Sequence, residues 1–286
     1  MVADDAISRA SLEDIAHFAA RRWPDETGRR LYAHLASSAD SGVWVAKDMG
    51  APIGIAFAHS GEDEVFCSEL FVEPSFRGNG LGTVLLGYAQ SDAGDRARSG
   101  FLDPAELAGL AVFARTGIAI QTPILRVSGA IPKEDALAAM AYGAYRFNAV
   151  PLDPRRHRSA LDALDREVRG GARPLDHAMF AAGAKGATVL LDDECVGYVY
   201  VWPDGRVGPI VSSSAAYVTA LFAFGLVALV REFGASWCSA GVPGTNLRIL
   251  RAAASIGLKI DMVRLFASDS SMRDLTRYVG YHPLLF

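Results

Sequence analysis

Apolar residues along this chain recur in two rhythms, a helical spacing of three and four and compact runs of four to eight, and the two alternate. Ser11-Leu12-Glu13-Asp14 reads as a capping box that opens a helix ending near Arg22. A second helix is expected over 26–37, with Arg29, Arg30 and His34 facing outward. Residues 43–46 and 53–58 read as paired strands around the turn Asp48-Met49-Gly50. Residues 65–72 form a strand that enters a glycine-rich stretch, and 81–90 the helix that leaves it. A strand over 96–101 follows, then a helix over 105–115 with Pro104 at its start and Gly117 at its end. The last strand of this half, 118–127, is broken by Pro123.

The order then returns. Helices are expected over 158–168 and 175–184, and a hairpin over 189–191 and 196–201 turns at Asp192-Asp193-Glu194. A strand over 207–211, a helix over 215–233, a strand over 236–240 and a helix closed by Gly257 complete the second half. Gly54 and Gly197 fall at matching places, as do Gly117 and Gly257, offset by about 140 residues, half the chain. The pattern implies an internal duplication: a first domain over 1–131, a joining helix within 132–145, and a second domain over 146–286. Residues 207–230 carry no charge and are long enough to span a bilayer. Gly208-Pro209 and Ser212-Ser213-Ser214 interrupt them, so they read as a strand end and a buried helix rather than a membrane span.

The richest chemistry lies at Leu70-Phe71-Val72-Glu73-Pro74-Ser75-Phe76-Arg77-Gly78-Asn79-Gly80-Leu81-Gly82-Thr83. Glycines at 78, 80 and 82 remove side chains where the chain enters a helix. The first turn of that helix has amides without internal partners, at the positive end of the helix dipole. Such a loop cradles an anion, and Arg77 adds a charge that pairs with phosphate oxygens. A dinucleotide-binding loop would need a glycine at Thr83, and a Walker loop a Gly-Lys-Ser/Thr ending; both are absent.

The strand, loop and helix resemble the acyl-CoA loop of the GNAT superfamily of N-acetyltransferases, whose Arg/Gln-x-x-Gly-x-Gly/Ala pattern is met by Arg77, Gly80 and Gly82. Val72-x-Pro74 before it and Leu85-Leu86 after it also fit. With the duplication, nearly the whole chain resembles a tandem GNAT protein. The resemblance implies an α/β (α+β) fold of two GNAT-like domains, each a mixed, mostly antiparallel sheet flanked by helices. It implies acetyl-CoA as donor and a primary amine as acceptor. Arg77, Gly78, Asn79, Gly80, Leu81, Gly82 and Thr83 would hold the diphosphate, and Leu70, Phe71 and Val72 the pantetheine arm. A Val72 amide would polarise the thioester oxygen. Glu69 is the first choice for the general base, ahead of Glu62, Asp63 and Glu64, which read as a solvated turn. Strand alternation puts Cys67, Glu69 and Phe71 on one face, and Ser68 and Leu70 on the other.

The family's proton-donating tyrosine, four residues before the helix-ending glycine, falls on Phe113. Its counterpart in the second half is Ala253. Tyr142, Tyr145 or water would have to protonate the thiolate, or it leaves unprotonated. The second half replaces the glycine loop with Gly208-Pro209-Ile210-Val211 and is expected to lack a CoA site. Acceptor contacts are expected from Trp44, Asp192, Tyr200 and Trp202, with Tyr198, Asp193 and Glu194 as neighbours and Tyr278, Tyr281 and His282 as a rim. For the strand aromatics a core role, and for Asp192-Asp193-Glu194 a hairpin-turn role, is the stronger reading. Members with this layout include acetyltransferases of aminoglycosides such as kasugamycin, which confer resistance. Protein or peptide acceptors, and a non-catalytic acetyl-CoA sensor, stay open.

Composition narrows the partners. Net charge is −4, which argues against a nucleic-acid partner and suits a cationic substrate. Cys67, Cys195 and Cys238 are far apart and show no zinc spacing, so they read as buried thiols with no metal. The acidic start, Met1-Val2-Ala3-Asp4-Asp5, has no signal-peptide pattern, and a cytoplasmic protein is expected, with no membrane partner. The sequence leaves the oligomeric state open, a homodimer included.

Overall fold

The computed structural model describes residues 6–38, 41–140, 146–270 and 274–286. The chain forms two compact units, each built from discontinuous segments. One comprises Met1–Gln121, Arg264–Ser271 and Pro283–Leu285; the other comprises Thr122–Val263, Met272–His282 and Phe286. The expected halves, 1–131 and 146–286, thus follow the repeat in sequence, whereas compactness divides the chain elsewhere.

The first unit opens with strand β1 (Ile7–Arg9) and helices α1 (Leu12–Arg22) and α2 (Glu26–Ser37). The capping box at α1 forms as expected: Ser11 Oγ accepts from the Asp14 amide and the Asp14 carboxylate accepts from the Ser11 amide. Strands β2 (Ser41–Asp48), β3 (Ala51–Ser60), β4 (Glu64–Val72) and β5 (Ala97–Leu102) continue the sheet, with helix α3 (Leu81–Ala89) between the last two and α4 (Leu107–Arg115) after them. β1 through β4 pair antiparallel in order, and β4 pairs parallel with β5. Pro104 does not start α4. Glu106 is its N-cap, and Pro104 lies in the preceding turn.

Strand β6 (Ala119–Ala130) begins in this unit and runs through Pro123 unbroken into the other. β6 lies between the strands Lys259–Ser268 and Trp237–Pro243; its ladder with the latter begins at Ile124, and the Pro123 carbonyl accepts from Gly244 at 2.7 Å. The second unit continues with α5 (Glu134–Met140), β7 (Phe147–Pro151), α6 (Arg158–Arg169), α7 (Pro174–Gly183), β8 (Lys185–Leu191), β9 (Glu194–Val201), β10 (Val207–Ser212), α8 (Val218–Phe233), β11 (Trp237–Pro243) and α9 (Leu247–Ser255). Strand β12 (Lys259–Ser268) starts here and ends in the first unit, where Leu265–Ser268 pair antiparallel with β5. Strand β13 (Tyr278–Val279) returns to the second unit, whose main sheet runs β13-β10-β9-β8-β7. The uncharged stretch resolves into β10 and α8. No helix among the described residues is long and apolar enough to cross a membrane.

The repeat is visible in atomic detail. A methyl on Gly54 would meet Leu85 Cδ1 and the Phe71 carbonyl, both at 3.0 Å; one on Gly197 would meet Leu221 Cδ2 at 2.3 Å and the Val211 carbonyl at 2.6 Å. Each glycine therefore lets a helix close onto its sheet. Helices α4 and α9 end identically. Ile118 donates to the Phe113 carbonyl and Leu258 to the Ala253 carbonyl, both at 3.0 Å, with Gly117 and Gly257 left-handed at φ +80° and +84°.

The second unit buries a polar network that the sequence does not suggest. Of the two readings of Tyr198, Tyr200 and Trp202, acceptor contact and core, the structure takes the core: all three are wholly buried. The Tyr198 hydroxyl donates to Asp165 Oδ1 at 2.6 Å and accepts from Arg173 Nη2 at 2.7 Å. His177 joins Asp165 Oδ2 at 2.9 Å and the Tyr200 hydroxyl at 3.0 Å. Trp202 donates to the Gly208 carbonyl and stacks on Tyr281 at 4.0 Å. His282, expected at the surface, is buried as well.

Burial pushes the Asp165 carboxyl up, but the Arg173 guanidinium and the His177 hydrogen bond outweigh it and hold the pKa at about 2, below the ordinary 3.8. Because the folded value is the lower one, this contribution is complete above the ordinary carboxylate range and is lost as pH falls toward 2; it amounts to about 2 kcal/mol. Asp165→Asn leaves Arg173 buried without its counter-charge and is expected to cost about 3–5 kcal/mol. Urea denaturation at pH 7 and at pH 3 checks both, the penalty shrinking at the lower pH.

Candidate active site

The first unit's cleft arises where β4 and β5 part. They pair from Glu64 with Ala97 to Cys67 with Gly100 and no further. β5 runs on to Leu102, held along its other edge by β12, which pairs with it from Ser99 to Leu102. The end of β4, Leu70 to Val72, is left with a neighbour on one side only, β3. A cavity of about 460 Å³ fills the gap, with Leu70, Phe71 and Val72 on one wall and Phe101, Leu102 and Asp103 on the other.

A bulge sets the direction of the side chains here. β3 pairs Phe57 with Glu69 but Ala58 with Cys67, so Ser68 is an extra residue in β4. The expected common face of Cys67, Glu69 and Phe71 is therefore corrected. Cys67 packs among Leu86, Phe113 and Ala267. Glu69 turns the other way, toward the end of α1, and Phe71 meets Phe18 at 5.9 Å. Burial, reinforced by Glu69, pushes the Cys67 thiol to about 12, so it is no nucleophile.

Glu69 lines the cavity and is almost wholly buried. Its Oε1 accepts from Arg22 Nε at 3.3 Å and Nη2 at 3.2 Å, and its Oε2 accepts from Trp23 Nε1 at 2.6 Å. Of its alternatives, Glu62 is exposed, Asp63 lies at the turn, and Glu64 accepts from Ser99 Oγ; none lines the cavity.

The glycine loop closes one part of the cavity. Pro74–Phe76 make a single 3₁₀ turn, and Gly78 and Gly80 take φ of +86° and +83°. No atom lies within 4 Å of where their Cβ would be, so the backbone conformation, not crowding, calls for glycine. Gly80 caps α3 without a side chain. Thr83 and Val84 donate to its carbonyl, so the amides of Leu81 and Gly82 precede the first closed turn. Arg77, Gly78, Gly80, Leu81, Gly82 and Thr83 line the cavity, and Asn79 does not. Arg77 holds the loop's root: its Nε donates to the Val72 carbonyl at 2.8 Å and its Nη1 to Glu106 Oε2 at 3.2 Å. The expectation of a phosphate partner here meets an arginine already clasped on two sides.

Phe113 also lines the cavity, as a buried ring whose para carbon lies 3.0 Å from where a Cβ on Gly100 would sit. The lining hydroxyls among the described residues are Ser68 and Thr83, and Ser68 Oγ donates to the Leu284 carbonyl at 3.0 Å. Tyr142 and Tyr145 lie outside the described residues. Trp44 packs on Tyr88 at 4.8 Å, under Arg9, away from the cavity. Asp192 sits at the hairpin tip, left-handed at φ +50°, paired with Arg146. Sequence reasoning missed Arg22, Trp23, Arg264 and Pro283, which complete the wall beside Glu69. Only Arg22-Trp23, next to the end of α1, carried a local signal; Arg264 and Pro283 arrive from the far end of the chain.

In the second unit the matching gap is filled. β13 pairs with β10 through Ile210–Val279 and Val211–Tyr278, and Gly280 bridges to Gly241 of β11. A Cβ on Gly208 would lie 2.4 Å from the Gly280 carbonyl. Among the described residues, no three His, Cys, Asp or Glu side chains converge as metal ligands.

Residues 9–117, which carry β4, the glycine loop and α4, match the Acetyltransferase (GNAT) family. No curated protein matches the chain. Among solved structures, a presumed acetyltransferase from Pyrococcus horikoshii superposes with a TM-score of 0.73 at 14% identity, over 98% of this chain and 95% of that one. A tandem GNAT protein from the clavulanic acid biosynthesis pathway gives 0.60 at 15%, over 93% and 99%. A GCN5-related N-acetyltransferase from Sphaerobacter thermophilus gives 0.59 at 14%, over 94% and 96%. At such identities the likeness speaks for the fold, two GNAT-like domains in tandem.

Phe113 is buried with its para carbon facing the Gly100 backbone, so the oxygen added by Phe113→Tyr is expected to cost about 1–3 kcal/mol by overpacking. The shift of the urea midpoint measures it.

Proposed function

We propose that the protein moves an acetyl group from acetyl-CoA to a primary amine of a small molecule. The observation that carries this reading is that the glycine loop, the one-sided end of β4 and the buried Glu69 carboxylate all line one cavity. The donor fits this chain's residues: two left-handed glycines and the open first turn of α3 suit a diphosphate, and the free edge of β4 suits an extended amide-bearing arm. Acetyl-CoA supplies an activated acyl thioester.

In this reading Gly78 to Thr83 hold the diphosphate by their backbone, and Arg77 keeps the loop fixed against Val72 while offering its charge. Leu70, Phe71 and Val72 align the arm, with the Val72 amide as donor to the thioester oxygen. Glu69 takes the proton that the acceptor's ammonium must lose, directly or through a water. The acceptor is a small amine. A fungal glucosamine N-acetyltransferase region shares the fold, with a TM-score of 0.65 at 15% identity over 91% of this chain and 38% of that one, and supports an acceptor of that size. An aminoglycoside such as kasugamycin falls in the same class, as does a role in resistance. Buried Phe113 favours a second reading, an acetyl-CoA sensor that does not turn over.

CoA release from acetyl-CoA, followed with aminoglycosides, amino sugars, polyamines, amino acids and short peptides, separates these readings. Release with a small amine is expected. Tight binding without release across the panel, and then with protein acceptors, establishes the sensor instead. Glu69→Gln is expected to lower kcat about 100-fold and to require higher pH for turnover; an unchanged pH–rate profile removes it as the base. Arg77→Ala unclasps the loop and removes a charge, and is expected to weaken acetyl-CoA about tenfold or more by titration calorimetry.

A further inference from the structure

Resting on the acetyl-CoA reading, the Arg77–Glu106 ion pair acquires a role in how the donor enters and leaves. The two residues follow opposite walls of the cavity. Arg77 lies in the loop after β4, and Glu106 at the start of α4, beyond the end of β5. Arg77 Nη1 donates to Glu106 Oε2 at 3.2 Å, so the pair joins the two walls beside the glycine loop. A carboxylate thus already uses the charge that a diphosphate would take. Glu106 has no structural duty that explains this. It is the N-cap of α4, yet its side chain makes no capping bond and is more than half exposed. Arg77 does not depend on Glu106 for its place. Its Nε donates to the Val72 carbonyl at 2.8 Å, and its guanidinium carbon lies 5.8 Å from the centre of the Phe71 ring. Both contacts persist when Nη1 changes partner. The other carboxylates on the cavity are engaged elsewhere, Glu69 by Arg22 and Trp23, and Asp103 by the Ala105 amide at 2.9 Å. Of the other lining cations, Arg264 lies beside Trp23, and Arg115 ends α4.

We infer that Glu106 is an internal competitor for the donor. Its carboxylate holds the Arg77 charge before the donor binds, yields it to the diphosphate of acetyl-CoA, and reclaims it as CoA leaves. One charge-assisted contact replaces another, and the displaced carboxylate stays close to the phosphates. The pair therefore lowers the affinity for donor and for product together, and speeds the departure of both. Removing the carboxylate unmasks Arg77 without releasing it, because Val72 still anchors the arm.

Titration calorimetry and stopped-flow dissociation of acetyl-CoA and CoA on the full chain test this. Glu106→Gln keeps the size of the side chain and removes its charge. It is expected to bind both ligands about three- to fivefold more tightly, through slower dissociation, with the urea midpoint little changed. High salt is expected to shrink that gain, and an Arg77→Ala background to remove most of it. Acetyl-pantetheine, a donor without the diphosphate, is expected to bind wild type and Glu106→Gln alike. Weaker or unchanged acetyl-CoA binding in Glu106→Gln overturns the inference and leaves acetyl transfer standing. An equal gain with acetyl-pantetheine, or a full gain in the Arg77→Ala background, does the same. Absence of acetyl-CoA binding to the wild type overturns both.

Discussion

The parting of β4 from β5 at Cys67 and Gly100 is the constraint on which the first unit's chemistry depends. Ser68 enters β4 as an extra residue and turns the strand just where the pairing ends, while β5 runs on with β12 along its opposite edge. A parallel pair that continued would have no free backbone and no cavity. Because it stops, the edge of β4, the glycine loop and Glu69 all open into one space. Gly100 sits at the fork, where a side chain would strike the Cys67 carbonyl at 2.9 Å and the Phe113 ring at 3.0 Å.

The second unit shows what the same plan becomes when the fork is closed. Its caps, its glycine-to-helix contact and its strand order repeat those of the first. Yet β13 lies along the edge of β10, and Gly280 reaches β11. The backbone groups that a ligand would meet are bonded to the chain itself. Every residue of β10 is buried, and the layer behind β9 holds a charged network in place of an opening. One copy keeps an edge free, and the other uses that edge for stability.

Local chemistry made much of this legible. The capping box at Ser11, the bounds of α2, the glycine caps at 117 and 257 and the turn at Asp192-Asp193 all follow from residues within a few positions of one another. The loop from Arg77 to Gly82 could be read as an anion cradle because amide geometry at a helix start is itself local. What could not be read depends on partners far along the chain. The bulge at Ser68 is a mismatch against β3, and alternation within β4 alone put Glu69 on the face of Cys67. Pro123 reads as a strand break from its missing N–H, whereas β6 runs through it, flanked by β12 and β11 from elsewhere in the chain. Tyr200 and Trp202 resemble ligand-facing aromatics until Asp165, His177 and Tyr281 are seen to cover them.

The crossing strands β6 and β12 carry a consequence for how this protein comes into being. The edge of β5 is completed only by Leu265 to Ser268, and Ser68 is bonded to the Leu284 carbonyl. During synthesis from the N-terminus, the unit that emerges first must therefore wait for segments translated last before its sheet closes. Its contacts are non-local in the extreme, which slows folding and leaves an unpaired β5 edge exposed in the nascent chain.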